Sequence, residues 1–274
     1  MTDAGRYALF GHPVSHSWSP FIHGLFARQF GHTIDYKLVD VGAEEFRKAA
    51  LEFFSGGGRG ANVTVPHKVA AAELANELTA RAKRAGAVNT LALRDDGTLL
   101  GDNTDGVGLV TDLTVNIGFA LKRRRILILG AGGSVRGVLA PLLAEHPGRV
   151  FIANRTARRA EDLVAAFEDL GPLSSGSFDE TGISDWDLVI NATSTSLTGD
   201  VVELPGRVIG PDTICYDLAY SRRPTPFQLW ARQRGAKDSY QGWGMLVEQA
   251  AESYLLWHGV RPATGPVLGA LATL

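Results

Sequence analysis

Two stretches of this 274-residue sequence carry side chains able to bind or move charge. The first is Gly130-Ala131-Gly132-Gly133-Ser134, set between the apolar run Ile126-Leu127-Ile128-Leu129 and a helix-like segment. In that setting the first glycine permits a tight turn and the second lets the backbone approach a pyrophosphate. The helix N-terminus then offers free N–H groups to the anion. The third small residue of the usual pattern falls on Val135, so strand–helix packing is expected to adjust there. The next apolar strand, Val150-Phe151-Ile152, ends at Asn154-Arg155-Thr156, with Arg158 and Arg159 behind. An NAD site normally carries Asp or Glu at this tip, accepting from the ribose hydroxyls. A guanidinium can instead fork onto a 2′-phosphate and stack on adenine. The sequence therefore predicts NADP over NAD; the plainer alternative is a helix start with ordinary surface arginines.

The nucleotide half shows no evident acid or base, so the reacting groups are expected in the first part of the chain. Lys68 follows the alternating run Ala61-Asn62-Val63-Thr64-Val65 and the corner at Pro66. Asp105 lies in Gly101-Asp102-Asn103-Thr104-Asp105-Gly106, Asn89 and Thr90 lie in Gly86-Ala87-Val88-Asn89-Thr90, and Ser15, Ser17 and Ser19 alternate. Polar side chains that interrupt apolar surroundings this often suggest a small, hydroxyl-rich ligand. Taken singly, each has a blander reading. A lysine after a corner is usually a solvated surface residue, and Asp105 and Ser19 stand where helix N-caps would. His12, His16 and His23 lie close in sequence, but no cysteine or carboxylate joins them at metal-site spacing. They read as loop and helix packing, with no metal. Lys122 to Arg125 reads as a solvated approach to a strand, and the lone Cys215 as a buried strand residue.

These groups need a scaffold, and the apolar pattern describes one. Tyr7 to Phe10 reads as a strand, and Ser19-Pro20 opens a helix with Ile22, Leu25, Phe26 and Phe30 on one face. A strand over 35–39, a helix over 43–54, a strand over 61–65 and a helix over 69–84 continue the alternation of an α/β domain. Beyond it, apolar strands at 126–129, 150–152, 188–190 and 213–216 end in polar tips. A parallel sheet needs that pattern, because its middle is buried and its ligands sit at the strand C-termini. The expected division is 1–105 for the first domain and 106–244 for a Rossmann-type nucleotide domain. Residues 245–274 form terminal helices, with Leu246, Val247, Ala250, Leu255 and Leu256 at helical spacing.

Composition narrows the class further. Hydrophobic residues make up 45% and charged residues 20%, with a formal net charge of -2, so nothing favours a nucleic-acid or anionic-membrane partner. One cysteine excludes an intrachain disulfide. The opening residues lack the apolar core of a signal peptide and no run is long enough to span a bilayer. A cytoplasmic enzyme acting on a small molecule is expected.

The stretches "GHPVSHSWSPFIH", "GANVTVPHK", "GAVNT", "GDNTDG", "GAGG", "NRT", "INATS" and "QGWGMLVEQA" occur in the order found in the shikimate dehydrogenase family, which the chain resembles over nearly its whole length. The resemblance implies NADPH-dependent reduction of 3-dehydroshikimate to shikimate in the aromatic amino-acid pathway. It also implies a substrate domain beside a Rossmann domain, an active site in the cleft, and last helices that return to the substrate domain. By motif, Lys68 resembles the family's acid/base lysine and Asp105 its aspartate partner. Ser17 and Ser19 resemble the hydroxyls that hold the substrate carboxylate, and Thr64, Asn89, Tyr220 and Gln249 match other substrate contacts. Gly130, Ala131, Gly132, Gly133, Ser134, Asn154, Arg155, Thr156 and Arg159 match cofactor positions, with Leu218 and Gly242 near the nicotinamide.

The chain departs from the family pattern at His12, where asparagine is common, at His67 for phenylalanine, at Leu218 for methionine, and at Ser194-Thr195-Ser196, where a glycine is usual. His67 either alters the surroundings of Lys68 or merely replaces an aromatic packing face. These departures leave quinate-using and aminoshikimate-using dehydrogenases as rivals. A nucleotide-sensing relative that lost the chemistry is a rival of another class. The expected assembly is a monomer or a homodimer.

Overall fold

The computed structural model describes residues 5–183, 186–193, 195, 200, 202–204 and 208–273. The chain divides into two compact units, Met1–Gly108 with Leu246–Leu274, and Leu109–Met245. Ser194 and Ser196, part of one departure noted above, lie outside the described residues.

The first unit is built on strands β1 (Gly5–Gly11), β2 (Ile34–Asp40), β3 (Gly58–Val63), β4 (Glu77–Leu78), β5 (Thr90–Leu93) and β6 (Leu99–Asp102). They form one sheet in the order β2-β1-β3-β5-β6-β4. Pairing is parallel across β2, β1 and β3, then antiparallel from β3 to β5 and from β5 to β6. Helices α1 (Ser19–Phe30), α2 (Phe46–Ser55), α3 (Lys68–Leu74), α4 (Ala80–Ala85) and the start of α5 (Asp105–Thr111) fill the connections. One face of the sheet packs Ala8, Phe10, Ala61, Val63 and Leu91 against Phe46, Ala50 and Phe54 of α2 and Ala71 and Leu74 of α3. A separate cluster joins Ile22 and Phe26 of α1 to Val247, Ala250 and Tyr254.

The expected helix over 69–84 is two helices. Ala75 and Asn76 leave the helix, the Asn76 side chain accepts from Leu99 N–H, and Glu77–Leu78 pair with β6. Thr79 then caps α4, accepting from Ala82 N–H. Helix propensity alone favours one rod; the unmatched edge of β6 offers Glu77–Leu78 a ladder instead. Ser19 is not an N-cap: Trp18 occupies that position, no side chain caps α1, and Ser19 is its first residue. Asp105 likewise stands inside α5 as its first residue.

The second unit carries β7 (Arg125–Leu129), β8 (Arg149–Ala153), β9 (Leu173–Gly176), β10 (Leu188–Asn191), β11 (Ile214–Asp217) and β12 (Asp238–Gln241). All pairs are parallel, in the order β12-β11-β10-β7-β8-β9. That is the doubly wound order, with its switch point between β7 and β10. Ile126, Ile128, Val150, Ile152, Leu188 and Ile190 bury one face of the sheet. Leu127, Leu129, Phe151, Ala153, Val189 and Cys215 bury the other. The period of two splits each apolar run between two cores. Burial pushes the Cys215 thiol up to about 12, which leaves it an inert core residue. Helices α6 (Gly133–Ala144), α7 (Ala157–Phe167) and α8 (Pro226–Gln233) complete this unit. Helix α9 (Trp243–His258) spans the boundary, and α10 (Gly265–Ala272) ends the chain.

Candidate active site and cofactor-binding loop

Lys68 is the first residue of α3 and Asp105 the first of α5. The Lys68 Nζ donates to Asp105 Oδ2 at 2.5 Å, and the side chains are only 10% and 6% exposed. A cation in a helix's first turn opposes the helix dipole, whereas an anion there is favoured. Asp105 thus both suits α5 and neutralises the ammonium that α3 alone would disfavour. Val88 N–H donates to the Lys68 carbonyl at 2.8 Å, which brings the "GAVNT" stretch beside this pair.

Asn89 completes the arrangement. Its Nδ2 donates to Asp105 Oδ1 at 2.8 Å, to Thr104 Oγ1 at 2.8 Å and toward Gln249 Oε1 at 3.2 Å. Its Oδ1 accepts from Thr104 N–H at 2.8 Å. Lys68, Asp105, Asn89 and Gln249, separated widely in sequence, therefore meet in one hydrogen-bonded group.

Three neighbours in "GDNTDG" were not singled out from sequence and shape the same turn. Asp102 receives Arg81 in a two-point fork, Nε to Oδ1 at 2.7 Å and Nη2 to Oδ2 at 2.5 Å, and Thr79 Oγ1 at 2.6 Å. Burial works to raise the Asp102 carboxyl, yet these hydrogen bonds outweigh it and hold the group below the usual carboxylate range. Asn103 donates to the Ala87 carbonyl at 2.9 Å and accepts from Asp105 N–H at 3.2 Å. Thr104 contacts Asn89 through both backbone and hydroxyl. The available signal was the density of polar side chains in a six-residue turn.

The serine segment lies at the end of β1. Ser17 Oγ donates to Ser19 Oγ at 3.1 Å and accepts from Ser19 N–H at 3.2 Å. Neither hydroxyl caps α1. His12 Nδ1 lies 2.5 Å from Asp40 Oδ1, and Asp40 Oδ2 accepts from Val14 N–H at 3.1 Å, which anchors this loop to β2. The His12 side chain and Val14 backbone together hold the Asp40 carboxyl below its ordinary range. Thr64 follows β3 and sits so close to Gly11 that a Cβ there would meet its methyl at 2.4 Å.

His67 is committed elsewhere than expected for a charge neighbour. Its ring stacks on Phe46 at 4.6 Å and 8°, and its Nε2 donates to the Val41 carbonyl at 2.8 Å. It takes the packing role of an aromatic side chain. His23 is also buried packing: it stacks on Tyr36 at 4.7 Å and donates to Asn62 Oδ1 at 3.1 Å. Among the described residues no group of three or more His, Cys, Asp or Glu side chains could hold a metal ion.

In the second unit Gly130 takes φ +108°, and a Cβ there would come within 3.0 Å of the Ala192 carbonyl. Glycine is thus required at the switch point for both conformation and space. Gly132 is the N-cap of α6 with no side-chain cap, and a Cβ on it would meet nothing within 4 Å. No side chain caps the first-turn N–H groups, Gly133 and Ser134 included, and such groups are the kind that bind an anion. Val135 is fully buried in the core under α6, so the packing accepts its extra bulk.

The tip of β8 divides its arginines. Arg158 pairs with Glu161 at 3.7 Å and Asp162 at 3.1 Å. Arg155 and Arg159 are exposed and have no acidic partner among the described residues. Asn154 Nδ2 donates to the Thr156 carbonyl at 2.9 Å, which shapes the loop that carries Arg155. Arg155 thus follows the C-terminal end of β8, and Arg159 lies near the start of α7.

Leu218, Tyr220 and Gly242 belong to this unit as well. Gly242 lies so near Leu218 that a Cβ would meet its carbonyl oxygen at 2.4 Å, and Gly242 N–H donates to Ala219 O at 3.1 Å. Tyr220 packs on Trp243 with ring centroids 4.7 Å apart. The fully buried Asp217 steadies the segment, accepting from Asn191 at 3.0 Å and Thr225 at 2.6 Å. At the far end of β7, Arg125 donates to Asp187 from its backbone at 2.7 Å and its side chain at 3.2 Å.

Family models match this chain over residues 9–91 (shikimate dehydrogenase substrate binding domain), 112–202 (shikimate/quinate 5-dehydrogenase) and 242–272 (shikimate 5′-dehydrogenase C-terminal domain). It is 53% identical over 271 residues to the shikimate dehydrogenase (NADP(+)) of Methylococcus capsulatus, covering 99% of this chain and 97% of that one. Among solved structures, an Ael1 enzyme from Pseudomonas putida superposes with a TM-score of 0.90 at 41% identity, covering 98% of each chain. Shikimate 5-dehydrogenase from Thermus thermophilus, solved with NADP(H) and shikimate, gives a TM-score of 0.85 at 31% identity, covering 98% of this chain and 99% of that one. With its substrate-binding, central and C-terminal segments all matched in order, the chain belongs to the shikimate dehydrogenase family.

Proposed function

We propose that this protein catalyses the reversible NADP-dependent reduction of 3-dehydroshikimate to shikimate. The observation that carries the reading is the buried Lys68–Asp105 pair, held by Asn89, in a chain of this family. Bound NADPH supplies the hydride. As the carbonyl carbon is reduced its oxygen gains negative charge, and the Lys68 ammonium stabilises that charge and delivers the proton. Asp105 holds the lysine in place and is positioned to accept from a substrate hydroxyl. Ser17 and Ser19 bind the substrate carboxylate through their hydroxyls, and Thr64, Asn89, Gln249 and Tyr220 contact the ring substituents. Gly130 to Ser134 cradle the pyrophosphate at the start of α6, and Arg155, Thr156 and Arg159 take the 2′-phosphate. Leu218 and Gly242 border the nicotinamide.

Steady-state rates with shikimate, quinate and aminoshikimate, each with NADP and NAD, test the reading. The expected outcome is a kcat/KM highest for shikimate with NADP. Preference for quinate or aminoshikimate would reassign the substrate, and cofactor binding without turnover on any of the three would make this a nucleotide-binding relative.

A further inference from the structure

Ser253 lies on α9, one turn beyond Gln249, and is fully buried. Its Oγ is 2.7 Å from Thr90 Oγ1, 2.9 Å from Asn62 Nδ2 and 3.1 Å from the Gln249 carbonyl. Thr90 Oγ1 in turn lies 3.0 Å from Asn89 Oδ1. Asn62 cannot turn its amide around, because its Nδ2 also lies 3.3 Å from the Asn89 backbone carbonyl, which can only accept, while its Oδ1 faces Tyr36 OH at 2.7 Å and His23 Nε2 at 3.1 Å. Its Nδ2 must therefore donate toward Ser253.

Hydrogen counting then gives the chain a direction. Each hydroxyl carries one hydrogen. If Thr90 donates to Asn89 Oδ1, the 2.7 Å contact to Ser253 is filled by the serine's own hydrogen, which takes this shorter contact over the 3.1 Å one to the Gln249 carbonyl. The order is Asn62 to Ser253, Ser253 to Thr90, Thr90 to Asn89. At its other end the Asn89 amide donates to Asp105 Oδ1, which leaves Oδ2 for Lys68. We propose that Ser253 is a positioning residue for the Lys68–Asp105 pair, acting through a one-way hydrogen-bond relay that pins the Asn89 amide. The inference rests on the acid/base reading of that pair. It assigns α9 a second duty beyond carrying Gln249: Ser253 locks, from behind, the amide that holds the reacting carboxylate. In a low-dielectric interior such a chain is fully satisfied or costly, so a missing link is felt along its length.

The test compares Ser253→Ala, Thr90→Val and the double variant, with Lys68→Ala in parallel. Each single change is expected to lower kcat about three- to tenfold, the usual scale for one internal hydrogen bond. KM for NADP should stay within about twofold of the parent. Because both act through one relay, the double variant should lose no more than the worse single. A purely structural role would lower the melting temperature and leave kcat of the folded protein at 25 °C unchanged. Parent-like kcat in either single variant, or losses that multiply in the double, overturns the relay. Should Ser253→Ala not be recovered folded, Thr90→Val and the near-isosteric Ser253→Cys carry the same comparison. If Lys68→Ala keeps parent-like turnover, the acid/base reading itself falls. If Lys68→Ala is inactive and Ser253→Ala is parent-like, only the relay falls.

Discussion

Lys68 donates to Asp105 across 2.5 Å from a position 37 residues earlier in the chain, each being the first residue of its helix. The contact sets the charge balance of the proposed reacting centre. It also determines what happens when either side chain is lost.

Lys68→Ala removes the proton donor and the positive charge that stabilises the developing oxyanion. We expect kcat to fall by about 10²- to 10⁴-fold, with a much smaller change in substrate KM. Steady-state kinetics in both directions measure this, and near-parent turnover would remove Lys68 from the chemistry.

Asp105→Asn keeps the shape but takes the negative charge from a buried ammonium. Breaking a buried pair by removing one partner costs about 3–5 kcal/mol when the other charge stays. The variant is therefore expected to lose both turnover and stability, whereas an exposed pair such as Lys48–Glu52, 3.9 Å apart, should tolerate the same treatment. Urea denaturation of the two neutralised variants makes the comparison.

Arg155→Ala and Arg159→Ala probe the phosphate site. Charge-assisted hydrogen bonds are worth about 1.5–3 kcal/mol, so KM for NADP should rise roughly 10- to 100-fold for the stronger contact. KM for NAD should be nearly unchanged. Arg158→Ala, whose parent side chain is occupied by Glu161 and Asp162, should affect neither. Equal losses with both cofactors would place the arginines elsewhere than on the 2′-phosphate.

His23 predicts a pH effect on stability. Burial lowers its pKa from 6.5 to about 3, with the hydrogen bond to Asn62 opposing and the charge of His258 assisting. The unfolded chain binds a proton at this residue below pH 6.5 that the folded chain refuses down to about 3. Stability present above pH 6.5 should therefore be lost on acidification through that window, by about 1.4 kcal/mol per pH unit. Denaturation curves of the parent and His23→Gln across that range check the sign: the parent should show the steeper acid loss.

Gly244→Ala tests the packing at the start of α9. A Cβ there would stand 1.8 Å from Asp112 Oδ1, and Tyr216 OH holds that carboxylate at 2.6 Å from its other oxygen. Overpacking of this kind costs about 1–3 kcal/mol. A clear drop in melting temperature is expected, and a parent-like value would mean that Asp112 moves freely.

The cofactor loop was legible because its cause is local. A glycine turn between an apolar strand and a helix needs only consecutive residues, and Gly130 and Gly132 stand where that rule places them. The four strands with apolar runs were legible for the same reason. Two edge strands of the second sheet, Leu173–Gly176 and Asp238–Gln241, were not, since an edge position does not demand an apolar run. The hairpin Thr90–Leu93 to Leu99–Asp102 was also passed over, although Asp96 and Gly97 mark its turn.

What the sequence by itself determined was the α/β alternation, the phosphate-binding turn, the arginine-bearing strand tip and the ordered motifs that resemble one family. All follow from periodicity and short spacings, which local geometry enforces. Only the tertiary structure decided that Asn89 joins Asp105 to Gln249 across 160 residues, that Arg81 clamps Asp102, and that His67 turns its ring to Phe46 and Val41. Those contacts depend on sheet order and on α9 packing back on the first unit's own strands. A side chain's partner is set by which strand tips and helix starts converge, and sequence spacing does not encode that convergence.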